Sequence, residues 1–327
     1  MRVLVAGGAG YIGSHTAGEL LARGVEVSIF DDFSSGRREL VPGGEAVEIV
    51  EGDLMDKEAV RAAFRKRRFD AVLHFASLIQ VGESYVNPRK YYLQNLLAAL
   101  NLLEATLDAG VRAFIFSSSA AVYGVPRETP LREDHPVDPI NPYGRTKAMV
   151  EQVLKDYDRA YGLRFVSLRY FNAAGADPEG ELGERHDPET HLIPNVLRAV
   201  SGQGPILSVF GTDFPTPDGT AIRDYIHVTD LAAAHVLALR HLLEGGASET
   251  INLGTNRGYS VREVVAAAEK ITGRPVPREE KPRREGDPPV LLASKEKAER
   301  VLGWKLRHSD LGTILKTAWA WHRRSRS

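Results

Sequence analysis

The chain has 327 residues, enough for about two domains, and its 43% apolar and 26% charged residues are globular values that exclude disorder, collagen and coiled coil. Its 42 basic residues balance 43 acidic ones, giving a formal net charge of -1, so overall charge does not indicate binding to nucleic acid or to an acidic membrane. The lack of cysteine excludes disulfides, a thiolate nucleophile and cysteine-ligated zinc, and fits a cytoplasmic protein.

The amino-terminal segment runs from Met1 to Ala6 and then directly into glycines. It has neither the long apolar stretch nor the small-residue cleavage site of a signal peptide. No apolar run approaches the roughly 18 residues that a membrane span requires. We therefore expect a cytoplasmic protein that does not enter a membrane.

Short apolar runs alternate with helical patterns through the first half of the chain. The candidate strands are Val3–Ala6, Val25–Ile29, Val47–Val50, Ala71–Phe75, Ala113–Phe116 and Phe165–Leu168. The candidate helices are Gly13–Arg23, Lys57–Arg67, Asn87–Ala109 and Tyr143–Tyr161. Such alternation forms right-handed βαβ units. It predicts an α/β fold with a Rossmann-type doubly wound parallel sheet.

After Leu168 the chain becomes rich in turn residues, and the regular alternation stops. The segments without predicted elements are Gly175–Pro188, Phe210–Gly219 and a basic loop at Arg274–Pro289. Helices are predicted at His227–Leu243, after a capping box at Ser260 and Glu263, at Ser294–Leu302 and at Leu311–His322. We predict a Rossmann-type domain of residues 1–172, joined by about 227–253. Residues 173–226 and 254–327 would then form a smaller α/β carboxy-terminal domain.

A glycine-rich turn follows the first strand and opens the first helix, with the spacing G-x-x-G-x-x-G at Gly7, Gly10 and Gly13. In this position, backbone N–H groups and the amino end of the helix can approach a pyrophosphate. A tight β-to-α turn without a ligand is the alternative explanation.

Acidic residues end the second and third candidate strands. Asp31 and Asp32 lie about 20 residues beyond the glycines, where a carboxylate accepts hydrogen bonds from a ribose and repels a 2′-phosphate. Asp31 is the better placed, since Asp32 could instead cap the following loop. Asp53 could reach the adenine amine or cap the helix that begins at Lys57. Together with the glycines, these residues predict a site for NAD rather than NADP.

Tyr143 and Lys147 are four residues apart, so they lie on the same face of a helix. A nearby cation favours phenolate and makes a tyrosine a usable base near neutral pH. Ser117, Ser118 and Ser119 follow a strand at the sheet edge where ligands bind in α/β folds. These residues predict a proton-transfer site beside the dinucleotide.

Together these motifs resemble those of the extended short-chain dehydrogenase/reductase family, and within it the UDP-glucose 4-epimerases. The glycine turn and the Tyr143/Lys147 pair are typical of the superfamily. Two later segments, Arg223–His227 (Arg-Asp-Tyr-Ile-His) and Arg283–Asp287 (Arg-Arg-Glu-Gly-Asp), are similar to those of nucleotide-sugar epimerases. Further matching segments are His74–Ala76, Val81–Ser84, Ser117–Gly124, Tyr170–Asn172 and Gly219–Ile222.

The resemblance implies an NAD-dependent isomerase that inverts C4 of a UDP-hexose, UDP-galactose to UDP-glucose, through a 4-keto sugar and NADH. It also implies a homodimer formed through the helices Asn87–Ala109 and Tyr143–Tyr161. Two alternatives stay open. The substrate could be another UDP sugar (UDP-N-acetylglucosamine, UDP-glucuronate or UDP-xylose), or the protein could be a non-catalytic NAD-binding sensor.

The resemblance assigns Tyr143 as the base on the sugar 4-hydroxyl, Ser119 as a hydrogen-bond partner of that oxygen, and Lys147 as the ligand of the nicotinamide ribose. The residues expected at the cofactor are Gly7, Gly10, Tyr11, Ile12, Gly13, Asp31, Asp32, Asp53, Leu54, Phe75, Ala76, Ser77, Asn95, Ser117, Tyr143, Lys147 and Tyr170. The residues expected at the substrate are Ser119, Tyr143, Asn172, His191, Leu192, Phe210, Arg223, Tyr225, Arg284, Asp287 and Leu291.

Within the substrate set, the resemblance places Asn172 near the phosphates, and Leu192 and Phe210 around the uracil. Arg223 and Arg284 would bind the diphosphate, because a planar guanidinium binds phosphate oxygens at two points. Asp287 would bind the uridine ribose.

Four positions bear on this assignment. Ile79 stands where related epimerases often carry a lysine beside the cofactor, and Leu291 is intermediate between the bulky and small residues that govern entry of N-acetylated sugars. Ala120 and Ala121 replace the acid/base pair of a nucleotide-sugar dehydratase, so dehydration is disfavoured.

The histidines give no indication of a metal enzyme. His186, His191 and His227 look scattered, and loop or core histidines are the simpler interpretation. We therefore expect no metal.

Overall fold

The computed structural model describes residues 1–284 and 286–324. The strands are β1 (Arg2–Ala6), β2 (Glu26–Asp31), β3 (Glu48–Glu51), β4 (Ala71–His74), β5 (Ala113–Ser117), β6 (Arg164–Arg169), β7 (Asn172–Ala174), β8 (Leu207–Phe210), β9 (Ile222–Arg223), β10 (Tyr225–His227), β11 (Glu249–Asn252), β12 (Tyr259–Ser260), β13 (Arg278–Lys281) and β14 (Val290–Leu291).

The helices are α1 (Tyr11–Ala22), α2 (Lys57–Lys66), α3 (Val81–Val86), α4 (Pro88–Tyr91), α5 (Ala98–Asp108), α6 (Pro142–Tyr161), α7 (Leu192–Val200), α8 (Val228–Leu243), α9 (Val261–Thr272), α10 (Glu296–Leu302) and α11 (Leu311–Arg324). A π-helical segment, Tyr92–Leu97, connects α4 to α5. Short 3-10 turns lie at Arg38–Leu40, Gly44–Ala46 and Ala120–Tyr123. Within the described ranges, no helix combines the length and apolar character that crossing a membrane requires.

The central sheet has the strand order β11-β6-β5-β4-β1-β2-β3, and all its neighbouring strands are parallel. The order reverses between β1 and β4, because the chain returns from β3 at one edge to start β4 beside β1. In open α/β sheets a crevice for ligands forms at this point, beyond the carboxyl ends of the strands. The predicted Rossmann-type doubly wound fold is confirmed.

Apolar side chains cover both faces of the central sheet. Along β1, Val3 and Val5 pack into one cluster with α1 and α8, whereas Leu4 and Ala6 pack into the other with α5 and α6. Successive side chains of a strand point to opposite faces, so a strand that is buried on both faces has a continuous apolar run. This explains why β1, β4 and β5 could be recognised from such runs.

A smaller apolar cluster lies in the carboxy-terminal region, where α7, α9 and α11 pack together with the parallel pair β8 and β13. The prediction of a loop at Arg274–Pro289 was wrong in part, since Arg278–Lys281 forms β13. This strand is charged and mostly exposed, so it lacks the apolar pattern that predicts a strand. The division of the chain into two domains stays a prediction.

The long helix predicted at Asn87–Ala109 begins as expected, with Asn87 as N-cap and Pro88 at its first position. It is not one regular α-helix, because residues Tyr92–Leu97 adopt π geometry. Asn95 lies in this segment and makes two hydrogen bonds with the backbone of Leu78. Its Oδ1 accepts from Leu78 N at 2.8 Å, and its Nδ2 donates to Leu78 O at 3.0 Å. The widened turn therefore holds the loop that follows β4.

Candidate active site

The carboxyl ends of five parallel strands bring the predicted cofactor residues to one edge of the sheet. The glycine turn follows β1, Asp31 ends β2, and Phe75, Ala76 and Ser77 follow β4. Ser117 ends β5 and Tyr170 follows β6, and the two side-chain oxygens are 2.5 Å apart. The strand order puts these residues at the same edge of the sheet as Ser117, which the sequence had placed at the edge where ligands bind.

The glycine turn is shaped by two positions at which a side chain does not fit. Gly7 has a φ of +80°, and a Cβ there would lie 2.4 Å from the backbone nitrogen of Ala76. A Cβ at Gly13 would lie 2.1 Å from the carbonyl oxygen of Gly7. Both glycines are therefore required by the turn itself, with or without a ligand.

Gly10 differs from these two, since the nearest atom to a Cβ there is the Gly7 carbonyl oxygen at 3.4 Å. Gly10 is the N-cap of α1, which has no side-chain cap and no acidic residue in its first turn. The first N–H groups of α1, including those of Tyr11 and Ile12, are thus left for an anion at this end of the helix. A dinucleotide pyrophosphate fits this requirement.

Asp31 supports the glycine turn directly. Its carboxylate accepts hydrogen bonds from the backbone of Ala9 and of Phe33, each at 2.9 Å. Burial raises the pKa of Asp31, although these two hydrogen bonds lower it. Asp32 is exposed and accepts from the backbone and hydroxyl of Ser34, so it stabilises the local turn.

Asp53 does not cap the helix that follows it, and that alternative was wrong. Asp56 is the N-cap of α2 and accepts from the backbone of Glu58 and Ala59, whereas Asp53 accepts from the backbone of Met55 at 2.8 Å. Leu54 beside it is buried. Contact of Asp53 or Leu54 with an adenine stays a prediction.

Arg37 was not predicted at the site. Its backbone N–H donates to the carbonyl oxygen of Ala9 at 3.0 Å. The Nε of its side chain is buried and has no hydrogen-bond acceptor among the described residues. An unsatisfied buried donor costs about 1–3 kcal/mol, so an anionic group at this position would be stabilised. The sequence signal was its location in the loop after Asp31.

Lys147 is held deep in the site by two acceptors. Its Nζ donates to Ser77 Oγ and to the Ser117 carbonyl, both at 2.8 Å, and lies 4.9 Å from the centre of the Phe116 ring. Burial lowers the pKa of Lys147 to about 7, although the Glu151 carboxylate raises it. Lys147 can therefore gain and lose its charge near neutral pH.

Tyr143 lies in the first turn of α6, which starts at Pro142 with Asn141 as N-cap. The centre of its ring is 5.9 Å from Lys147 Nζ, so the two residues share a face as predicted. Burial raises the pKa of Tyr143, and a hydrogen bond with Ser119 lowers it. The expectation that the pKa of Tyr143 lies below its usual value was wrong, because the effect of burial is the larger one.

Behind the site, a buried ion pair joins Glu151 of α6 to Arg169 at the end of β6. Ser118 donates to the same carboxylate at 2.6 Å, and the Arg169 guanidinium lies 4.7 Å from the centre of the Tyr123 ring. Sequence reasoning missed this pair. The available signal was the spacing of four residues between Lys147 and Glu151.

Several predicted substrate residues lie on short paired strands of the carboxy-terminal region. Asn172 and Tyr225 are register partners in β7 and β10, and Arg223 and Leu291 are partners in β9 and β14. Asn172 Nδ2 donates to the backbone carbonyl of Asp224 at 2.8 Å. This pairing brings residues from three distant parts of the chain together.

The predicted phosphate-binding arginines make two different contacts. Arg223 forms an ion pair with Asp287, so the two groups expected at the diphosphate and the ribose bind each other here. Arg284 is exposed and its guanidinium lies 4.1 Å from the centre of the Phe210 ring. A guanidinium over an aromatic ring keeps the N–H groups in its own plane free to bind an anion.

The interpretation of His186 and His191 as scattered histidines was wrong. The structure brings both together with Glu184 and Glu189. His191 Nδ1 lies 2.6 Å from Glu184 Oε1 and 3.2 Å from Glu189 Oε1, and this contact raises the pKa of His191 to about 10. Spacing could not show this, because all four residues lie on an irregular segment before α7.

His227 is a satisfied core histidine, as the simpler interpretation had it. It is fully buried, accepts from the backbone of Thr229 as the N-cap of α8, and its Nε2 lies 3.0 Å from Thr317 Oγ1.

The chain is similar in sequence to known proteins over nearly its whole length. A sequence model of the NAD dependent epimerase/dehydratase family matches residues 3–254. Among curated proteins, UDP-glucose 4-epimerase of Rhizobium leguminosarum bv. trifolii is 51% identical over 323 residues, which cover 99% of this chain and 98% of that protein.

Solved structures are similar over the whole chain. The crystal structure of UDP-glucose 4-epimerase from Brucella ovis in complex with NAD has a TM-score of 0.94 and 50% identity, covering 97% of both chains. That of UDP-glucose 4-epimerase from Bifidobacterium longum, in complex with NAD+ and UDP, has a TM-score of 0.94 and 39% identity, covering 100% of this chain and 99% of the other.

Proposed function

Because the chain belongs to the NAD-dependent epimerase/dehydratase family, and within it to the UDP-glucose 4-epimerases, we propose that it interconverts UDP-galactose and UDP-glucose by inverting C4 of the hexose. One observation carries the proposal. Tyr143, Lys147 and Ser119 converge at the sheet edge that also holds the glycine turn.

The cofactor is NAD, as in the family, and the residues at this edge fit it. The first N–H groups of α1 would bind the pyrophosphate, and Asp31 would face the adenosine ribose while it supports the turn. Arg37, with its buried donor, is our addition to this set. When bound, NAD supplies the acceptor and later the donor of a hydride at C4, so that a 4-keto sugar forms and is reduced from its other face.

The protein's own groups move the proton. Tyr143 takes it from the sugar 4-hydroxyl and returns it after the ketone has been reduced. Ser119 donates a hydrogen bond to the same oxygen, which lowers the energy of the negative charge that develops there. Lys147 is fixed by Ser77 and Ser117 and would orient the nicotinamide ribose. In its charged form it would oppose the effect of burial on Tyr143, because a nearby cation favours phenolate.

The carboxy-terminal residues bind the nucleotide. Leu192 and Phe210 would contact the uracil, Arg223 and Arg284 the diphosphate, and Asp287 the ribose. Binding the nucleotide requires Arg223 and Asp287 to exchange part of their mutual contact for contacts with the ligand. With the nucleotide held and the hexose free to turn, either face of C4 can be presented to the cofactor.

We also propose a homodimer through α6 and the helical segment from Pro88 to Asp108. Both carry exposed apolar side chains, with Leu93 37% and Met149 42% exposed. Sedimentation of the purified protein tests this, since a Met149→Glu variant should shift it from dimer towards monomer.

The activity is tested by incubating purified protein with UDP-galactose and no added cofactor. Formation of UDP-glucose, with NAD released on denaturation, supports both the reaction and a retained cofactor. If conversion fails even with NAD supplied, a panel of UDP-N-acetylglucosamine, UDP-glucuronate and UDP-xylose identifies another substrate. Failure of the whole panel with NAD bound would favour the non-catalytic sensor.

A further inference from the structure

We propose that Asp224 is a positioning residue for the nucleotide, and that it holds Arg223, Asn172 and Leu291 in the arrangement that binds UDP. The inference rests on the proposed function, because that function places these three residues at the substrate. Asp224 lies between β9 and β10 and is fully buried. In the proposed assignment it touches no part of the substrate, so it acts through its neighbours.

The carboxylate of Asp224 accepts three hydrogen bonds from two segments that are distant in the chain. Thr255 donates its hydroxyl to Oδ1 at 2.7 Å and its backbone N–H to Oδ2 at 3.1 Å. The backbone N–H of Ala293 also donates to Oδ2, at 3.1 Å. Thr255 follows β11 and Ala293 follows β14, so the carboxylate ties the loops after these strands to the turn between β9 and β10.

The backbone of Asp224 bonds two of the proposed substrate residues directly. Its N–H donates to the carbonyl oxygen of Leu291 at 3.1 Å, and its carbonyl oxygen accepts from Asn172 Nδ2 at 2.8 Å. Arg223 is its neighbour in the chain and ends β9. Three residues from separate parts of the chain are therefore held in place by one residue, whose own position is fixed by Thr255 and Ala293.

The two loops that bond the carboxylate are packed closely against each other. A Cβ at Gly254 would lie 1.8 Å from the carbonyl oxygen of Ala293, so only glycine allows this approach. The backbone N–H of Asn256 donates to the same oxygen at 3.3 Å. A change in the loop after β11 is therefore transmitted to the end of β14, where Leu291 lies.

The buried charge of Asp224 indicates that its geometry is needed. Burial raises the pKa of Asp224 to about 6, although its hydrogen bonds with Thr255 and Ala293 lower it, so the group is a carboxylate at neutral pH. The adjacent guanidinium of Arg223 forms its ion pair with Asp287 instead. A buried charge is costly unless it is compensated, and proteins accept such costs mainly at functional sites.

The first test measures the affinity for UDP by calorimetric titration of full-length, NAD-loaded protein. Thr255→Val removes the hydroxyl donor and keeps both the shape of the side chain and the backbone N–H. We expect its Kd for UDP to rise by about tenfold, because a hydrogen bond to a charged group is lost. Thr255→Ser retains that hydrogen bond, so its Kd should stay within about twofold of that of the unaltered protein.

Ser309→Ala is the matched control for destabilisation. Ser309 Oγ donates at 2.6 Å to another buried carboxylate, that of Asp230, which also accepts from the backbone of Arg307 and His308. Its removal should lower the melting temperature about as much as Thr255→Val does, without changing the Kd for UDP. A Kd for UDP in Thr255→Val no higher than that in Ser309→Ala would overturn the proposal.

Asp224→Asn changes the carboxylate itself with little change in size. The amide nitrogen cannot accept from Thr255 or Ala293, so the KM for UDP-galactose should rise by about tenfold or more. The value of kcat should change by less than about twofold, since the carboxylate does not touch the reacting sugar. A fall in kcat with unchanged KM would refute the positioning role. Failure of both Asp224→Asn and Thr255→Val to fold would show that the carboxylate serves the fold alone.

Titration with UDP does not depend on turnover, so the two proposals can fail separately. If the protein binds UDP but converts no UDP sugar, the proposed function is wrong and the comparison of the Thr255 and Ser309 variants still decides the role of Asp224. If the protein is active but all variants bind UDP equally well, only the inference about Asp224 is wrong. If the unaltered protein does not bind UDP, both are wrong.

Discussion

The Glu151 carboxylate and the Arg169 guanidinium form a two-point ion pair with side chains 3% and 2% exposed. The pair lies behind the proposed proton-transfer site, since Ser118 beside Ser119 donates to Glu151, and Lys147 is one helical turn before Glu151. Glu151 therefore acts as a positioning residue that also raises the pKa of Lys147.

Glu151→Gln should destabilise the protein by about 3–5 kcal/mol, because it leaves the Arg169 charge buried without a counter-charge. It should also lower the pKa of Lys147 further below about 7, since the carboxylate raises it. If turnover needs charged Lys147, the decline of kcat with rising pH should therefore begin at a lower pH in the variant than in the unaltered protein. Thermal unfolding and the pH profile of kcat measure the two effects.

The matched control is Glu19→Gln, which breaks the exposed pair with Arg23 and should cost about 0–1 kcal/mol. A Glu151→Gln protein with an unchanged alkaline limb would show that Glu151 has a structural role alone.

Tyr143→Phe removes the proposed base and keeps the ring. Turnover should fall by about 100- to 10,000-fold, the usual contribution of a positioned base. The melting temperature and the amount of retained NAD should change little. Tyr161→Phe, 56% exposed at the end of the same helix, serves as control and should keep full turnover. Near-normal activity of Tyr143→Phe would mean that another group takes the proton.

The sequence predicted six of the seven strands of the central sheet, and β1, β4 and β5 were the clearest because they are buried on both faces and have continuous apolar runs. It did not predict β11, whose sequence Glu-Thr-Ile-Asn has no such run. It predicted Asp31, Lys147 and the serines because local spacing determines their positions. It could not predict β13, whose Arg-Glu-Glu-Lys sequence is charged, or the partnership of Glu184 with His191, which depends on the path of an irregular segment. The pKa of Tyr143 was also beyond it, because burial depends on the packed structure.

Arg284→Lys should raise the KM for UDP-galactose by about 10- to 100-fold, equivalent to the loss of about 1.5–3 kcal/mol of charged hydrogen bonding. Lysine cannot stack on Phe210 or bind a phosphate at two points. The value of kcat should change little, since the diphosphate is bound equally before and during the reaction. Arg283→Lys is the control, because its partners are Asp213 and Phe214. Steady-state kinetics measure the KM of both variants for UDP-galactose. Equal KM values would exclude Arg284 from the diphosphate site.

Leu291 should set the size of the sugar pocket. It is half-buried in β14, next to Arg223 of β9. Leu291→Tyr should lower, and Leu291→Ala raise, the ratio of kcat/KM for UDP-N-acetylglucosamine to that for UDP-glucose, each by about tenfold or more. The UDP-glucose rate of each variant is its internal control. A ratio unchanged by both substitutions would place the determinant of sugar size elsewhere.

Gly10→Ala tests whether the glycine turn binds a ligand or only shapes the chain. Gly10 has an ordinary φ of -81°, and an added Cβ would meet only the Gly7 carbonyl oxygen, at 3.4 Å. The free energy of unfolding of the NAD-free protein should therefore stay nearly the same, whereas the methyl group should obstruct the pyrophosphate and raise the Kd for NAD by tenfold or more. Gly18→Ala in the same helix is the control: its Cβ would make ordinary contacts at 3.7 Å, and it should stabilise the protein by up to about 1 kcal/mol without affecting NAD. Calorimetric titration of NAD-depleted protein measures the Kd for NAD of both variants. If Gly10→Ala binds NAD as tightly as Gly18→Ala, the pyrophosphate does not lie at the start of α1.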